Sequence, residues 1–104
     1  MSAGAVTLLH LVSAADWHAM VTDGAYRPRS LATEGFVHLS APEQVAATHA
    51  RFYAGVSDLL VVSIDPAALG DGLVWEDLAG HGAFPHYYGP VPLSAVTDVR
   101  PYEA

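Results

Sequence analysis

The sequence contains no cysteine and no lysine, and each absence excludes a class of chemistry. Without cysteine, the chain has no disulfides, no thiolate metal ligands and no cysteine nucleophile. Without lysine, it has neither a Schiff-base amine nor the lysine of a phosphate-binding P-loop. A zinc site would therefore depend on histidine and carboxylate ligands.

Positive charge is scarce. Four arginines stand against eleven acidic residues, which gives a formal net charge of −7. Because like charges repel, we expect the protein to bind neither nucleic acid nor a membrane surface. Four permanent cations are left to hold an anionic ligand, namely Arg27, Arg29, Arg51 and Arg100.

Long apolar runs are missing as well. No stretch approaches the roughly 18 residues of a membrane span. The run Leu8–Val12 is interrupted by His10 and follows no basic region, so it does not resemble a signal peptide. We therefore expect a cytoplasmic location by default. With 104 residues, of which 52% are hydrophobic, we expect one domain over residues 1–104.

Short apolar runs predict at least five strands. These runs are Ala5 to Val12, Gly35 to Ser40, Leu59 to Ile64, Leu73 to Asp77 and Ala95 to Tyr102. Two segments are predicted to be loops because they contain proline or glycine between polar and aromatic residues: Ala25 to Thr33 and Gly80 to Pro92. Within the second loop, we expect Phe84–Pro90 to form one wall of a cleft.

Two helices are predicted in the first half of the chain. Ser13 begins a capping box, which predicts a helix that ends near Asp23. Ser40 and Glu43 form a second capping box, which predicts the longest helix, ending near Tyr53. Because helices and strands do not alternate regularly, the sequence favours an α+β fold with a curved, mainly antiparallel sheet.

His10 and His38 are the polar exceptions in two apolar strands. A buried imidazole such as that of His10 needs hydrogen-bond partners, and it serves equally well as a core residue or as a ligand contact. His38 and Ser40 share a strand face beside a helix N-terminus, where an anion or a ribose could bind, although Ser40 could equally be a helix cap alone. We predict that the rings of His10 and His38 point into one cleft from neighbouring strands.

Further candidates lie in the second half. Glu76, beside Trp75 at a strand end, is interpreted as a general base or an orienting acceptor, with a solvated surface carboxylate as the alternative. His86 and Tyr88 face the same side of an extended chain, and cleft wall and packing plug are equally good interpretations. The other histidines are interpreted as exposed or loop residues: His18, His49 and His81.

Common catalytic signatures are missing from the sequence. There is no dinucleotide-binding fingerprint, no serine elbow and no helical histidine pair with an intervening glutamate. His10, His38 and His86 leave a three-histidine metal site geometrically open, but no local spacing supports one. We therefore predict no metal site.

Five blocks of the sequence resemble the bacterial family called domain of unknown function 952. They are Leu8–Val12, Glu34–Ser40, Arg51–Tyr53, Leu73–Glu76 and Phe84–Pro90. The family has no established activity. The resemblance implies a fold like that of ADP-ribosyltransferase catalytic domains, with two helices and a split, curved sheet around a cleft that holds NAD in active relatives.

The same resemblance implies roles for particular residues. By strand order, His10 would face a ribose, His38 would contact a ribose or nicotinamide, and Glu76 would be the catalytic glutamate. Glu76 follows a tryptophan here, whereas arginine-modifying transferases have a Glu-x-Glu pair. Arg27 or Arg29 would contact a pyrophosphate. No cofactor is certain, and NAD is the candidate ligand or substrate.

The leading hypothesis is a small NAD-dependent transferase or hydrolase, or a related domain, with a nucleotide-ribose cleft. Its expected ligand-binding and catalytic residues are His10, Arg29, His38, Ser40, Trp75, Glu76, His86 and Tyr88. A non-catalytic ligand-binding module is the main alternative, and an interaction domain that uses the aromatic loop is a third. Histidines that converge in a pocket would favour a ligand site, whereas an exposed apolar patch without a pocket would favour an interaction domain.

Overall fold

A computed structural model describes residues 7–78, 80 and 82–103. Its nine strands are β1 (Leu8–Ser13), β2 (Val21–Thr22), β3 (Ala25–Tyr26), β4 (Val37–His38), β5 (Leu59–Ile64), β6 (Leu73–Glu76), β7 (Phe84–Tyr87), β8 (Val91–Pro92) and β9 (Val96–Pro101). Its α-helices are α1 (Ala14–Met20), α2 (Arg29–Thr33) and α3 (Val45–Thr48). Within the described residues, no helix is long and apolar enough to cross a membrane.

Short helical turns complete the secondary structure. Four have the 3₁₀ form: Pro42–Gln44, Pro66–Ala68, Gly70–Gly72 and Leu93–Ala95. A π-helical turn, His49–Tyr53, continues α3. The helical segment 42–53 is therefore the longest in the described chain, and it ends at Tyr53 as predicted.

The strands form three antiparallel sheets of three strands each. Sheet I has the order β1-β5-β9, sheet II the order β2-β3-β8 and sheet III the order β4-β7-β6. Sheets I and III meet where Leu9 and Ser40 exchange two backbone hydrogen bonds, each 2.8 Å long. The predicted α+β class with antiparallel strands is confirmed, but the described residues form three short α-helices rather than two.

Strand β1 separates two apolar clusters. Leu8 and Val12 belong to the main core, together with Val62 and Ile64 of β5. Leu11 faces the opposite side and packs in a smaller cluster with residues of β5. Since alternate residues of a strand face the same side, His10 lies on the side of the main core.

Helix α1 begins as predicted but ends earlier. The Ser13 hydroxyl accepts the Asp16 N–H at 3.2 Å, which confirms the N-terminal cap. The predicted end near Asp23 is wrong, because the helix stops at Met20 and β2 begins. Asp23 and Gly24 have φ angles of 52° and 76°, as a tight two-residue hairpin turn requires. The Asp-Gly pair was the signal of a hairpin in the sequence.

Both predicted loops contain regular structure. The first includes β3 and, after Pro28, helix α2. The second includes β7, which lies between β4 and β6 and is therefore a central strand. Proline is rare in such a position because it has no N–H to donate. Here the Pro85 carbonyl still accepts the Leu39 N–H at 3.0 Å.

The predicted capping box of the long helical segment is displaced by one residue. Ala41 takes the cap position, and its N–H donates to Gln44 Oε1 at 2.9 Å. Gln44 Nε2 also donates to the Ala83 carbonyl at 2.7 Å, which ties the helix start to the segment before β7. Ser40 and Glu43 are therefore not the capping pair, and Ser40 bonds to Thr48 instead.

The π-helical turn also changes which residues face the sheet. Helical spacing from Val45 predicts that Phe52 packs inwards, but Phe52 is 67% exposed. Tyr53 packs beside Val45 against the smaller cluster instead. A π-helical turn contains more residues than an α-helical one, so the inward position moves along the chain by one residue.

The displaced capping box gives a direct test by paired substitution. Gln44→Ala removes two hydrogen bonds and should lower the free energy of unfolding by about 1–2 kcal/mol. Glu43→Ala, at an exposed neighbouring position, should lower it by less than about 0.5 kcal/mol. Urea unfolding of both variants measures the difference. A larger loss for Glu43→Ala would restore the capping box predicted from the sequence.

Candidate functional site

A cavity of about 880 Å³ opens where the three sheets and the helical segment 42–53 meet. Its volume lies in the range of small-molecule sites. Six of the predicted site residues line it: His10, Arg29, His38, Ser40, Glu76 and His86. Trp75 and Tyr88 do not line it. His10 and His38 both line this cavity, although their strands, β1 and β4, belong to different sheets.

His10 lies at the floor of this cavity, with both ring nitrogens in hydrogen bonds. Nδ1 lies 2.6 Å from the His38 carbonyl oxygen, and Nε2 lies 2.6 Å from the Tyr26 hydroxyl. A carbonyl only accepts, so Nδ1 carries the proton and Nε2 accepts the tyrosine O–H. His10 therefore has no ring nitrogen left for a ligand in this arrangement.

Burial keeps His10 neutral. Desolvation lowers the pKa of His10 from its ordinary value of 6.5 to about 4, against the opposing effect of its hydrogen bond to the His38 carbonyl. Protonation in the folded protein thus costs about 3 kcal/mol more than in the unfolded chain. As the pH falls from 6.5 to 4, the unfolded chain takes up this proton first, so the folded state loses stability across that window.

Glu76 and His86 form the first of two imidazole–carboxylate pairs. These residues lie on β6 and β7, and His86 Nδ1 is 2.8 Å from Glu76 Oε1. The Tyr88 hydroxyl donates to the same oxygen. These hydrogen bonds, first from Tyr88 and then from His86, hold the pKa of Glu76 below its usual range. The bond to the carboxylate also raises the pKa of Tyr88.

His38 and Glu34 form the second pair. His38 Nε2 lies 3.0 Å from Glu34 Oε2, and both side chains are about half exposed. Because a carboxylate accepts, Nε2 is the donor and Nδ1 of a neutral ring keeps its lone pair. The His38 and His86 ring centroids are 5.3 Å apart. The two pairs therefore stand side by side on one face of sheet III.

Phe36 holds the two imidazoles in place. Its ring is buried and stacks on His86 with a centroid distance of 4.1 Å and an interplanar angle of 22°. It meets the His38 ring edge-on at 4.8 Å and lies 5.2 Å from the Tyr88 ring. Aromatic contacts of this kind add to the stabilisation that burial provides. The Phe36 ring thus contacts both histidines and lines the cavity beside them.

This arrangement can perform acid–base chemistry and stabilise positive charge. His86 Nδ1 donates to Glu76, so Nε2 of the neutral ring is a lone-pair acceptor. His86 lines the cavity, and among the described residues its Nε2 makes no hydrogen bond. Glu76 stays ionised at neutral pH, which suits a hydrogen-bond acceptor or a charge stabiliser and does not suit a proton donor.

The remaining predicted residues have other surroundings. Ser40 is buried, and its hydroxyl lies 3.1 Å from the Thr48 hydroxyl. Arg29 holds Asp16 with two hydrogen bonds, of 2.8 and 3.1 Å. Trp75 is exposed, and strand alternation places it on the opposite face of β6 from Glu76. These positions remove Trp75 from the wall of the cavity.

The other histidines differ from one another in the structure. His18 is exposed, as predicted. His49 is half-buried in the π-helical turn, with its ring 4.8 Å from the Tyr102 ring, so its interpretation as an exposed or loop residue is wrong. His81 lies outside the described residues. Among the residues described, no group of three or more histidines and carboxylates could hold a metal ion.

Sequence reasoning missed many residues of the cavity wall, among them Glu34, Phe36, Arg51 and Phe52. Glu34 and His38 stand four residues apart, but a glycine between them hides their pairing from a helical pattern. Phe36 is two residues from His38 and so faces the same side of an extended chain, which could have indicated that it lies beside His38. Arg51 and Phe52 were obscured by the π-helical turn, whose extra residue alters the face they occupy.

Comparison with known proteins places the chain in a family. Residues 11–99 match the family described as Protein of unknown function (DUF952), so the chain belongs to that family. The resemblance inferred from the five sequence blocks is therefore confirmed. No curated protein matches the chain.

Solved structures of protein CC0527 from Caulobacter crescentus are similar to this chain. The X-ray structure is 34% identical, with a TM-score of 0.80, and the match covers 91% of this chain and 84% of CC0527. The solution NMR structure is 32% identical, with a TM-score of 0.78, and the match covers 91% and 83% of the two chains. The fold is thus shared across most of both sequences.

The hydrogen bond between Tyr26 and His10 can be tested by removing one oxygen atom. Tyr26→Phe leaves the buried Nε2 of His10 without a donor, so we expect the free energy of unfolding to fall by about 1–3 kcal/mol. Tyr87→Phe is the matched control, since the Tyr87 hydroxyl makes no hydrogen bond with the described residues. Urea unfolding at pH 7 compares the two. Equal, small losses would show that the Tyr26 hydroxyl does not support His10.

Proposed function

We propose that the cavity binds NAD or a related nucleotide-ribose ligand and that the protein cleaves or transfers at its nicotinamide–ribose bond. One observation carries the proposal: two imidazole–carboxylate pairs stand side by side on one wall of a cavity of about 880 Å³. Such pairs supply proton acceptors of defined orientation next to a fixed negative charge.

The chemistry of this bond suits an ionised glutamate. When the carbon–nitrogen bond of NAD breaks, its electron pair returns to the positively charged pyridinium nitrogen, and nicotinamide leaves without needing a proton. The ribose carbon then develops positive charge, as in glycoside cleavage. Glu76 can stabilise that charge because hydrogen bonds from Tyr88 and His86 keep it deprotonated.

The attacking group needs a base, and the imidazoles can provide one. A water molecule or an acceptor hydroxyl that attacks the ribose carbon loses a proton, which Nδ1 of His38 or Nε2 of His86 can accept. His10 has both nitrogens occupied, so we assign it the role of a positioning residue for the His38 backbone. The fold like that of ADP-ribosyltransferase catalytic domains, which we infer from the resemblance of the five sequence blocks, supports NAD as the ligand class.

Nicotinamide release from NAD tests this proposal. The wild-type protein should release nicotinamide, and Glu76→Gln should release it at least about a hundredfold more slowly, because the fixed negative charge is lost. Glu43→Gln makes the same change at an exposed site outside the cavity and should keep the wild-type rate. Chromatographic quantification of nicotinamide, with urea unfolding of each variant, separates chemistry from stability.

Binding is measured in parallel to distinguish a transferase from a binding module. A ligand at a hundred times its dissociation constant stabilises the folded state by about 2.7 kcal/mol, which a thermal-shift assay detects. Stabilisation by NAD or ADP-ribose without nicotinamide release would overturn the catalytic part and leave a ligand-binding module. No stabilisation by either compound would overturn the proposed function as a whole.

A further inference from the structure

The cavity has one wall with a different chemical character from that of sheet III. The helical segment 42–53 contributes Thr48, Arg51, Phe52 and Tyr53 to it. Arg51 and Phe52 are both exposed at the side-chain level, so they stand where the cavity meets solvent. Arg51 gives this wall a positive charge, whereas the pairs on sheet III contain the negative charges of Glu34 and Glu76.

The arginines differ in how their charge is used. Arg29 is held by Asp16, and Arg100 lies 3.4 Å from Asp98 on β9. Arg27 donates to the Thr22 carbonyl and hydroxyl and does not line the cavity. Within the part of the chain that the structure describes, Arg51 makes no salt bridge. It is therefore the cavity arginine whose charge no described carboxylate balances.

Arg51 is paired with an aromatic ring instead. Its guanidinium carbon lies 5.6 Å from the centroid of Phe52, within the range of a cation–π contact. Both residues belong to the π-helical turn, whose orientation is set by Tyr53 as it packs against the smaller apolar cluster. The guanidinium and the ring are thus presented together at the cavity mouth.

We propose that Arg51 and Phe52 form the subsite for the phosphate and the planar base of the ligand. Guanidinium binds phosphate oxygens in a two-pronged geometry, and an exposed aromatic ring stacks on a heteroaromatic base. In a protein of net charge −7, an unbalanced arginine is the feature that favours an anionic ligand. This inference rests on the proposed nucleotide ligand and assigns the phosphates to Arg51, whereas the sequence-based expectation assigned them to Arg27 or Arg29.

The subsite predicts how affinity depends on phosphate. By isothermal titration calorimetry, ADP should bind the wild-type protein at least about tenfold more tightly than adenosine does, because adenosine has no phosphate. Arg51→Gln should weaken ADP about tenfold or more and leave adenosine unchanged. Phe52→Leu should weaken both compounds by about tenfold. Arg27→Gln removes the same charge outside the cavity and should bind ADP as the wild type does.

The outcomes separate this subsite from the proposed reaction. Equal ADP affinities of Arg51→Gln and Arg27→Gln would overturn the subsite, even if nicotinamide release is observed. Adenosine binding to the wild type as tightly as ADP would overturn it too. Arg51-dependent binding of ADP without nicotinamide release would support the subsite and contradict the reaction. A wild-type protein that binds neither ADP nor NAD would refute both.

Discussion

One imidazole connects the three sheets. His10 belongs to β1 of sheet I, its Nε2 accepts the hydroxyl of Tyr26 from sheet II, and its Nδ1 donates to the carbonyl of His38 from sheet III. The hydrogen bond to Tyr26 is buried and the one to the His38 carbonyl is part-buried, so the loss of either would leave a poorly solvated polar atom without a partner, at a cost of about 1–3 kcal/mol. The relative placement of the sheets, and hence the cavity between them, depends on this residue.

The two hydrogen bonds of His10 also determine which histidine nitrogens are free to contact a ligand. His10 stays neutral and fully bonded, and it fixes the backbone at His38 rather than acting on a ligand. With that backbone fixed, Phe36 stacks on His86, both rings meet the His38 ring edge-on, and the two imidazole–carboxylate pairs stand side by side. In the proposed reaction, acid–base chemistry is therefore assigned to residues of sheet III, and His10 is assigned a supporting role.

Much of this arrangement follows from local sequence patterns. The run Leu59–Ile64 is apolar except for Ser63 and has turn signals on both sides, and it forms β5 with the predicted limits. His10 was recognisable as a special residue because an ionisable side chain in an apolar strand needs hydrogen-bond partners. Its actual partners, a tyrosine 16 residues away and a carbonyl 28 residues away, depend on how the sheets meet, and no local pattern specifies that.

Other predictions from the sequence were wrong for identifiable physical reasons. Phe84–Tyr87 looked like a loop because proline seldom occupies a central strand, yet pairing with two neighbouring strands outweighs that local preference. Phe52 looked like a core residue because the spacing assumed a regular α-helix, whereas a π-helical turn places Tyr53 there. Glu34, which pairs with His38, was missed because Gly35 lies between them and His38 belongs to a strand. Neither a helical nor a strand pattern therefore relates the two residues.

The state of the His10 ring tests the central claim most directly. Nitrogen NMR of the histidine side chains, followed through an acid titration, reports both the protonated nitrogen and the pKa of each ring. The structure predicts that His10 carries its proton on Nδ1 and stays neutral until the pH approaches about 4. A His10 ring that is protonated on Nε2 at neutral pH, or that titrates near its ordinary value of 6.5, would contradict the account.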